Sequence, residues 1–147
     1  MTDKTTKNNA APKLADWAKD HLNRYIESNG ADGHELQGVT NLLLTTTGRK
    51  SGKALQLPLI YGRDGDNYII VASRGGTPDH PEWYKNLVAN PNVELQVRDE
   101  RFPATARTAN DAEKPALWEK MARLFPPYNE YQAKTERQIP VVILERK

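Results

Sequence analysis

Between Thr45 and Lys53 the chain reads Thr-Thr-Thr-Gly-Arg-Lys-Ser-Gly-Lys. Arg49, Lys50 and Lys53 stand there beside Gly48 and Gly52. Glycine lets backbone N–H groups come close to a bound anion. The cations add charge-assisted hydrogen bonds, and Ser51 adds a hydroxyl. This is the donor set of a phosphate or carboxylate cradle, and also the composition of a solvated hairpin tip. It is not a Walker A loop, because the G-x-x-x-x-G-K-[S/T] spacing is missing and Ala54 follows Lys53. A second place of interest is Ser73-Arg74-Gly75-Gly76, which follows an apolar run and leads into His80-Pro81-Glu82-Trp83-Tyr84-Lys85-Asn86. A strand end that runs through glycines into a helix start also suits an anion. Trp83 and Tyr84 either stack on a flat ring or plug one end of the fold. In the third, Phe125 to Tyr131, Tyr128 and Tyr131 share a helix face at i, i+3 spacing. That aromatic segment either covers a ring-shaped substrate or is a packing patch.

Conventional catalytic equipment is scarce. The chain has no cysteine, which removes disulfides, thiolate metal sites and cysteine nucleophiles. Its three histidines, His21, His34 and His80, are far apart, so no histidine metal site and no Ser-His-Asp constellation is expected. His21 reads as a packed core residue, His34 as a solvated loop residue, and His80 as a structural residue before a proline. Twenty-one basic against 19 acidic residues give +2, too balanced for a nucleic-acid binder but open to a local basic patch. No apolar run is long enough to span a membrane, and residues 1–13 hold no apolar signal segment. A cytoplasmic protein is expected. Any redox chemistry would come from a bound cofactor that the protein orients.

These features need elements to place them. Residues 1–13 read as a disordered tail, and residues 14–147 as one domain of ordinary size. Leu14 to Ser28 carries Leu14, Trp17, Ala18, His21, Leu22, Tyr25 and Ile26 on one helical stripe. Residues 30–38 read as a loop. Val39–Thr47 and Leu55–Tyr61 form a hairpin around the cationic turn, and Asn67–Ser73 is a buried third strand. Pro81–Ala89 is a short helix with Asp79 as its N-cap. Val93–Arg98 and Arg101–Ala109 form another hairpin. Asp111–Leu124 and Tyr128–Lys134 are helical, and Ile139–Leu144 is a last strand that Pro140 assigns to a sheet edge. The class is α+β, mainly β: a six-stranded antiparallel barrel with flanking short helices, since closure removes exposed edges.

The segments LLLTTTGRKSGKALQLPLIYGRDGDNYIIVASRGG, HPEWYKNLVANPNVELQV and FPPYNEYQAKTERQIPVVILER together resemble the deazaflavin (F420)-dependent nitroreductase family, of the quinone reductase type. The resemblance runs from about Leu14 to Glu145. It implies a split β-barrel of the FMN-binding-like kind and coenzyme F420, with its flat ring, phosphodiester and acidic tail. Carried onto this chain, it implies that Arg49, Lys50, Ser51 and Gly52 hold the phosphate and tail. It further implies that Leu55, Leu57, Pro58, Leu59 and Ile60 line the ring groove, that Val71, Ala72, Ser73 and Arg74 border the ring, and that Trp83, Tyr84, Lys85 and Asn86 frame its other side. Ser73, Tyr128 and Tyr131 are the implied catalytic residues, with Tyr128 over ring or substrate. The implied reaction is hydride transfer to a quinone, an enone or a nitro-aromatic. Ile60 and Phe125 lack the hydroxyls of the nitroimidazole-activating members, which favours quinones and enones. The alternatives are an FMN enzyme on the same barrel and a non-enzymatic cofactor- or lipid-binding module. The resemblance leaves monomer and homodimer both open. It also implies peripheral contact with the inner membrane face through the first helix, where Lys13, Lys19 and Arg24 accompany Trp17 and Tyr25.

Overall fold

The computed structural model describes residues 15–147. The predicted tail and Leu14 lie outside them. The elements are α1 (Asp16–Glu27), β1 (Glu35–Leu36), β2 (Val39–Thr47), β3 (Ala54–Ile60), β4 (Gly62–Asp64) and β5 (Asn67–Val71). They continue with α2 (Glu82–Ala89), β6 (Asn92–Val97), β7 (Glu100–Thr108), α3 (Lys114–Leu124), α4 (Pro127–Lys134) and β8 (Val141–Arg146). Every ladder is antiparallel, as the sequential hairpins predict.

Among the described residues the sheet has eight strands where six were expected, in the order β1-β2-β6-β7-β8-β5-β4, with β3 on the other edge of β2. The two extra strands are short pieces: β1 lies within the segment read as a loop, and β4 lies between the second and third expected strands. The sheet curls into a split barrel: β3 comes near β5, but among the described residues no ladder joins them. β8 is central, between β7 and β5, and not at an edge. Pro140 precedes its first residue, so no ladder donor is lost, and the Pro140 carbonyl accepts the Ala72 N–H at 2.9 Å.

Alternation along the strands makes two cores. Leu42 and Leu44 point inward with their partners on β3, Leu59 and Leu57. They meet Tyr68, Phe102, Leu95 and Trp83 inside the barrel, so Trp83 is a plug. Ile69, Val71, Val141 and Ile143 point outward and are covered by Leu117 and Met121 of α3 and Tyr128 of α4. Each such fully buried side chain contributes roughly 1.5–3 kcal/mol.

α1 is seated more narrowly than its stripe predicts. Ala18, His21 and Tyr25 are buried, whereas Trp17 is 72% exposed. Polar contacts select this face. The His21 Nε2–H donates to the Gly33 carbonyl at 2.7 Å. The Tyr25 hydroxyl accepts the Arg98 N–H at 2.8 Å and faces the carbonyls of Asn41 and Gln96. His34 is buried, not solvated. Its Nδ1 accepts from Arg98 Nε, and its Nε2 meets the Tyr61 hydroxyl at 2.8 Å.

Candidate functional site

The cationic turn lies between β2 and β3 and is closed on itself. The Gly48 N–H donates to the Lys53 carbonyl and the Gly52 N–H to the Gly48 carbonyl, both at 2.8 Å, while Lys53 N–H donates to Ser51 Oγ at 3.2 Å. The N–H groups of Lys50 and Ser51 have no partner among the described residues. The turn is fastened to α2 through Arg49. Its backbone N–H and its Nη1 both donate to Asn86 Oδ1, at 3.1 and 2.8 Å, and its Nη2 pairs with Glu82 Oε1 at 2.8 Å. The Arg49 guanidinium thus joins the turn to the helix. Lys50 and Lys53 carry no ion pair among the described residues and are exposed with Ser51 and Gly52.

Asp79 is not the N-cap of α2; Pro81 holds that position. Asp79 instead accepts from Lys85 Nζ at 2.7 Å and from the His80 N–H at 2.9 Å. Lys85 also lies 3.5 Å from Glu82. The Lys85 ammonium holds the Asp79 carboxyl below its usual range, and the Arg49 guanidinium does the same for Glu82. Tyr84 meets Thr108 Oγ1 at 2.8 Å and leaves its ring half-exposed. Asn86 is 2% exposed, so its side chain is an anchor.

The second feature is a tight turn at Arg74–Gly76. Ser73 is right-handed (φ −81°, ψ −39°), and Arg74, Gly75 and Gly76 follow at φ 46°, 64° and 81°. A left-handed arginine is strained by about 1–2 kcal/mol. A right-handed residue followed by a left-handed one turns successive N–H groups toward one concave side, the geometry of an anion nest. The N–H groups of Ser73, Arg74 and Gly75 have no partner among the described residues, whereas those of Gly76 and Thr77 bond back to Ser73 and Arg74.

Arg137, which no sequence motif singled out, braces this turn. Its Nε donates to the Thr77 carbonyl at 2.8 Å, its Nη2 to the Ser73 carbonyl at 2.7 Å, and its Nη1 to the Ala72 carbonyl at 3.3 Å. Nη1 also faces His80 Nδ1 at 2.9 Å. Because a guanidinium only donates, His80 Nδ1 is the acceptor and the imidazole proton sits on Nε2. His80 is therefore part of the turn's support, in keeping with the structural role read from its place before a proline.

The third feature meets the second through glycine. A Cβ on Gly76 would stand 2.5 Å from the Tyr131 carbonyl oxygen and 2.9 Å from its Cα. Only glycine lets α4 lie this close to the turn. Tyr131 is half-buried there. Tyr128 is 4% exposed, packed between Phe125, Trp118 and Tyr131, and burial pushes its hydroxyl well above the usual tyrosine range. It belongs to the outer core. Of the proposed groove, Leu55 to Ile60 are half-buried on a strand that pairs only with β2 among the described residues, while Val71 and Ala72 are buried. The Thr46 hydroxyl, at the same end of β2, is buried without a partner among the described residues. Those residues contain no cluster of three potential metal ligands.

Residues 17–146 match the model of the family described as F420H(2)-dependent quinone reductase. An F420H(2)-dependent quinone reductase of Mycobacterium tuberculosis (strain H37Rv) is 44% identical over 127 residues, which cover 84% of this chain and 85% of that protein. A solved structure titled as an F420-H2 dependent reductase, FDR-A, is 46% identical with a TM-score of 0.67, covering 71% of this chain and 93% of its own. Another, titled as a domain-swapped dimer, is 42% identical with a TM-score of 0.70, covering 88% and 98%. A heme storage protein of Vibrio cholerae, 17% identical with a TM-score of 0.55 over 73% of this chain and 81% of its own, shares the fold.

Proposed function

The chain belongs to the F420H(2)-dependent quinone reductase family and is an F420-dependent reductase, and from that premise we propose that its cofactor is held between the Arg49–Lys53 turn and the Ser73–Gly75 nest. The observation that carries the reading is the nest: three consecutive N–H groups, unpartnered among the described residues, beside the exposed Arg74. The donor set fits an acidic, flat cofactor. Arg49, Lys50, Lys53, Arg74, Lys85 and Arg137 surround the two turns, and Asp79 and Glu82 are the carboxylates paired among them. Lys50, Ser51 and Lys53 meet the phosphate and acidic tail, while Arg49 keeps their turn in place. The half-buried Leu57 and Leu59 on β3 exclude water from one side.

Reduced F420, when bound, supplies a hydride. The chain's own work is to hold donor and acceptor in register and to polarise the acceptor oxygen, since donors fixed before reaction need no reorganisation. The Ser73 N–H or hydroxyl is the proposed polarising donor. Tyr131, on the helix face against the turn, borders the acceptor, and Tyr128 sets the position of Tyr131 from the core behind it. Quinones are the primary acceptors; enones and nitro-aromatics extend the class. Family membership argues against FMN as cofactor and against a purely storage role.

A fluorescence titration with F420, followed by turnover against quinones, enones and nitro-aromatics, tests the reading. Lys50→Ala should weaken cofactor binding more than Tyr128→Phe, which keeps the ring that packs behind Tyr131. Failure of the wild-type protein to bind F420 sinks the proposal. A homodimer is also proposed, supported by the relative titled as a domain-swapped dimer and by an edge of β3 that has no partner among the described residues. No helix of the described residues is long and apolar enough to cross a membrane. Peripheral lipid contact is proposed for α1, where Trp17 is exposed beside Lys19, and vesicle sedimentation with Trp17→Ala checks it.

A further inference from the structure

A half-buried guanidinium ordinarily meets a carboxylate. Arg137 does not. Its four acceptors are three backbone carbonyls and a neutral imidazole, and it has no ion pair among the described residues. The carboxylate in this neighbourhood, Asp79, is already engaged by Lys85 and the His80 N–H. A positive charge is therefore held behind a turn whose front offers unpartnered N–H donors.

Peptide planarity makes the arrangement directional. Within one trans peptide the C=O of a residue and the N–H of the next point opposite ways. Fixing the Ala72 carbonyl on Arg137 aims the Ser73 N–H away from Arg137. Fixing the Ser73 carbonyl does the same for the Arg74 N–H. The third carbonyl, Thr77, closes the far end of the turn. Two of the four bonds from this rigid fork thereby set the orientation of two of the three nest donors, and together the four help hold Arg74 at its positive φ.

We propose that Arg137 is a positioning residue of the reductase site, which keeps the Ser73–Gly75 nest in its ligand-receiving shape, and that His80 makes this hold sensitive to pH. The proposal rests on the reading of the nest as part of the cofactor site. Protonation of His80 places an N–H on Nδ1, facing Arg137 Nη1 across 2.9 Å. The acceptor is lost and two cations confront each other. His80 also feels Asp79 in its own segment, Lys85, and the Tyr84 ring of α2 at 5.0 Å. Arg74, in the braced turn, adds a further cation near Arg137. Only Asp79 favours the imidazolium, and Lys85 already offsets it. Acidification therefore weakens the brace.

Two variants test this. In Arg137→Lys a single ammonium cannot serve four acceptors, so the cofactor-free protein should exchange the amide protons of Gly76 and Thr77 about tenfold faster, and F420 should bind about tenfold more weakly across the pH range. Circular dichroism and a thermal melt establish that the variant is folded. In His80→Gln the Oε1 atom can still accept from Arg137 but cannot titrate. Burial and Arg137 hold His80 below its ordinary 6.5, so wild-type affinity should fall as pH drops below about 6.5, by about fivefold at about pH 4.5, and the His80→Gln affinity by less than about twofold over the same range. Unchanged amide exchange in folded Arg137→Lys overturns the positioning role. An equal pH slope in wild type and His80→Gln overturns the pH role. If the wild-type protein does not bind F420, the cofactor-site reading falls, and the exchange measurement still decides whether Arg137 shapes the turn.

Discussion

Gly75 and Gly76 are neighbours in one turn with similar left-handed backbones, φ 64° and 81°, yet alanine should affect them very differently. A Cβ on Gly75 meets nothing within 4 Å. Gly75→Ala therefore carries only the left-handed penalty of about 1–2 kcal/mol, reduced by about 0.4–1 kcal/mol because alanine restricts the unfolded chain. The net loss is about 1 kcal/mol. Gly76→Ala carries the same backbone terms and also drives its Cβ to 2.5 Å from the Tyr131 carbonyl oxygen and 2.9 Å from the Tyr131 Cα. Both are backbone atoms of α4, so no side chain can swing aside. The helix must shift, and overpacking of this kind adds about 1–3 kcal/mol. Gly76→Ala should thus lose about 2–4 kcal/mol, and at about 3–4 °C per kcal/mol for a chain of this length its Tm should fall by about 6–16 °C, against about 3–4 °C for Gly75→Ala. Urea denaturation gives the free energies and a calorimetric scan the Tm. Equal losses in the two variants would refute the close approach of α4 to the turn, and with it the account of how Tyr131 reaches the site.

Asn86→Ala removes the oxygen that receives two Arg49 donors in a buried position; stability should fall by about 1–3 kcal/mol and F420 affinity should fall with it, measured by urea titration and cofactor fluorescence. Thr46→Val keeps the side-chain shape and deletes the unpartnered buried hydroxyl, so a gain of about 1 kcal/mol in urea is expected, and a loss would show that the hydroxyl has a partner. His34 is held below its ordinary value of 6.5 by burial first and by Arg98 second. The unfolded chain therefore takes up this proton at higher pH than the folded one, and stability should decline as pH drops below about 6.5 until the folded-state value is passed. His34→Gln should flatten that part of the urea-midpoint profile.

Local periodicity made much of the fold legible. The hairpins around Arg49–Lys53 and Asp99–Glu100, the presence of the four helices and the apolar run of β5 are all properties of adjacent residues. Pro140 misled because a proline just before a strand and one inside it look alike in sequence, while only the second removes a ladder bond. The pattern around α1 misled because Trp17 fits an apolar stripe but lies beyond the edge of what the sheet can cover. His34 looked solvated in its polar loop, yet it is buried by Arg98 and Tyr61, distant in the chain. Arg137 carried no local signal, since a lone arginine in a polar stretch looks like any other. Its partners Ala72, Ser73, Thr77 and His80 are brought to it only when β8 enters the sheet beside β5.

The amino-acid order by itself determined that the chain has no thiol chemistry of its own, that it is built of antiparallel hairpins, and that cations gather at two glycine-bearing turns. Those conclusions follow from residue types and near-neighbour spacing. Tertiary structure alone decided which cations are free to meet a ligand. Arg49 is drawn to Asn86 and Glu82 on α2, whereas Lys50 and Lys53 are left exposed. It also decided that Arg137 aims the backbone donors of Ser73 and Arg74 outward. The physical reason is that a hydrogen bond acts over about 3 Å in space, and the residues that share these bonds are separated by long stretches of chain that only the curled sheet folds together.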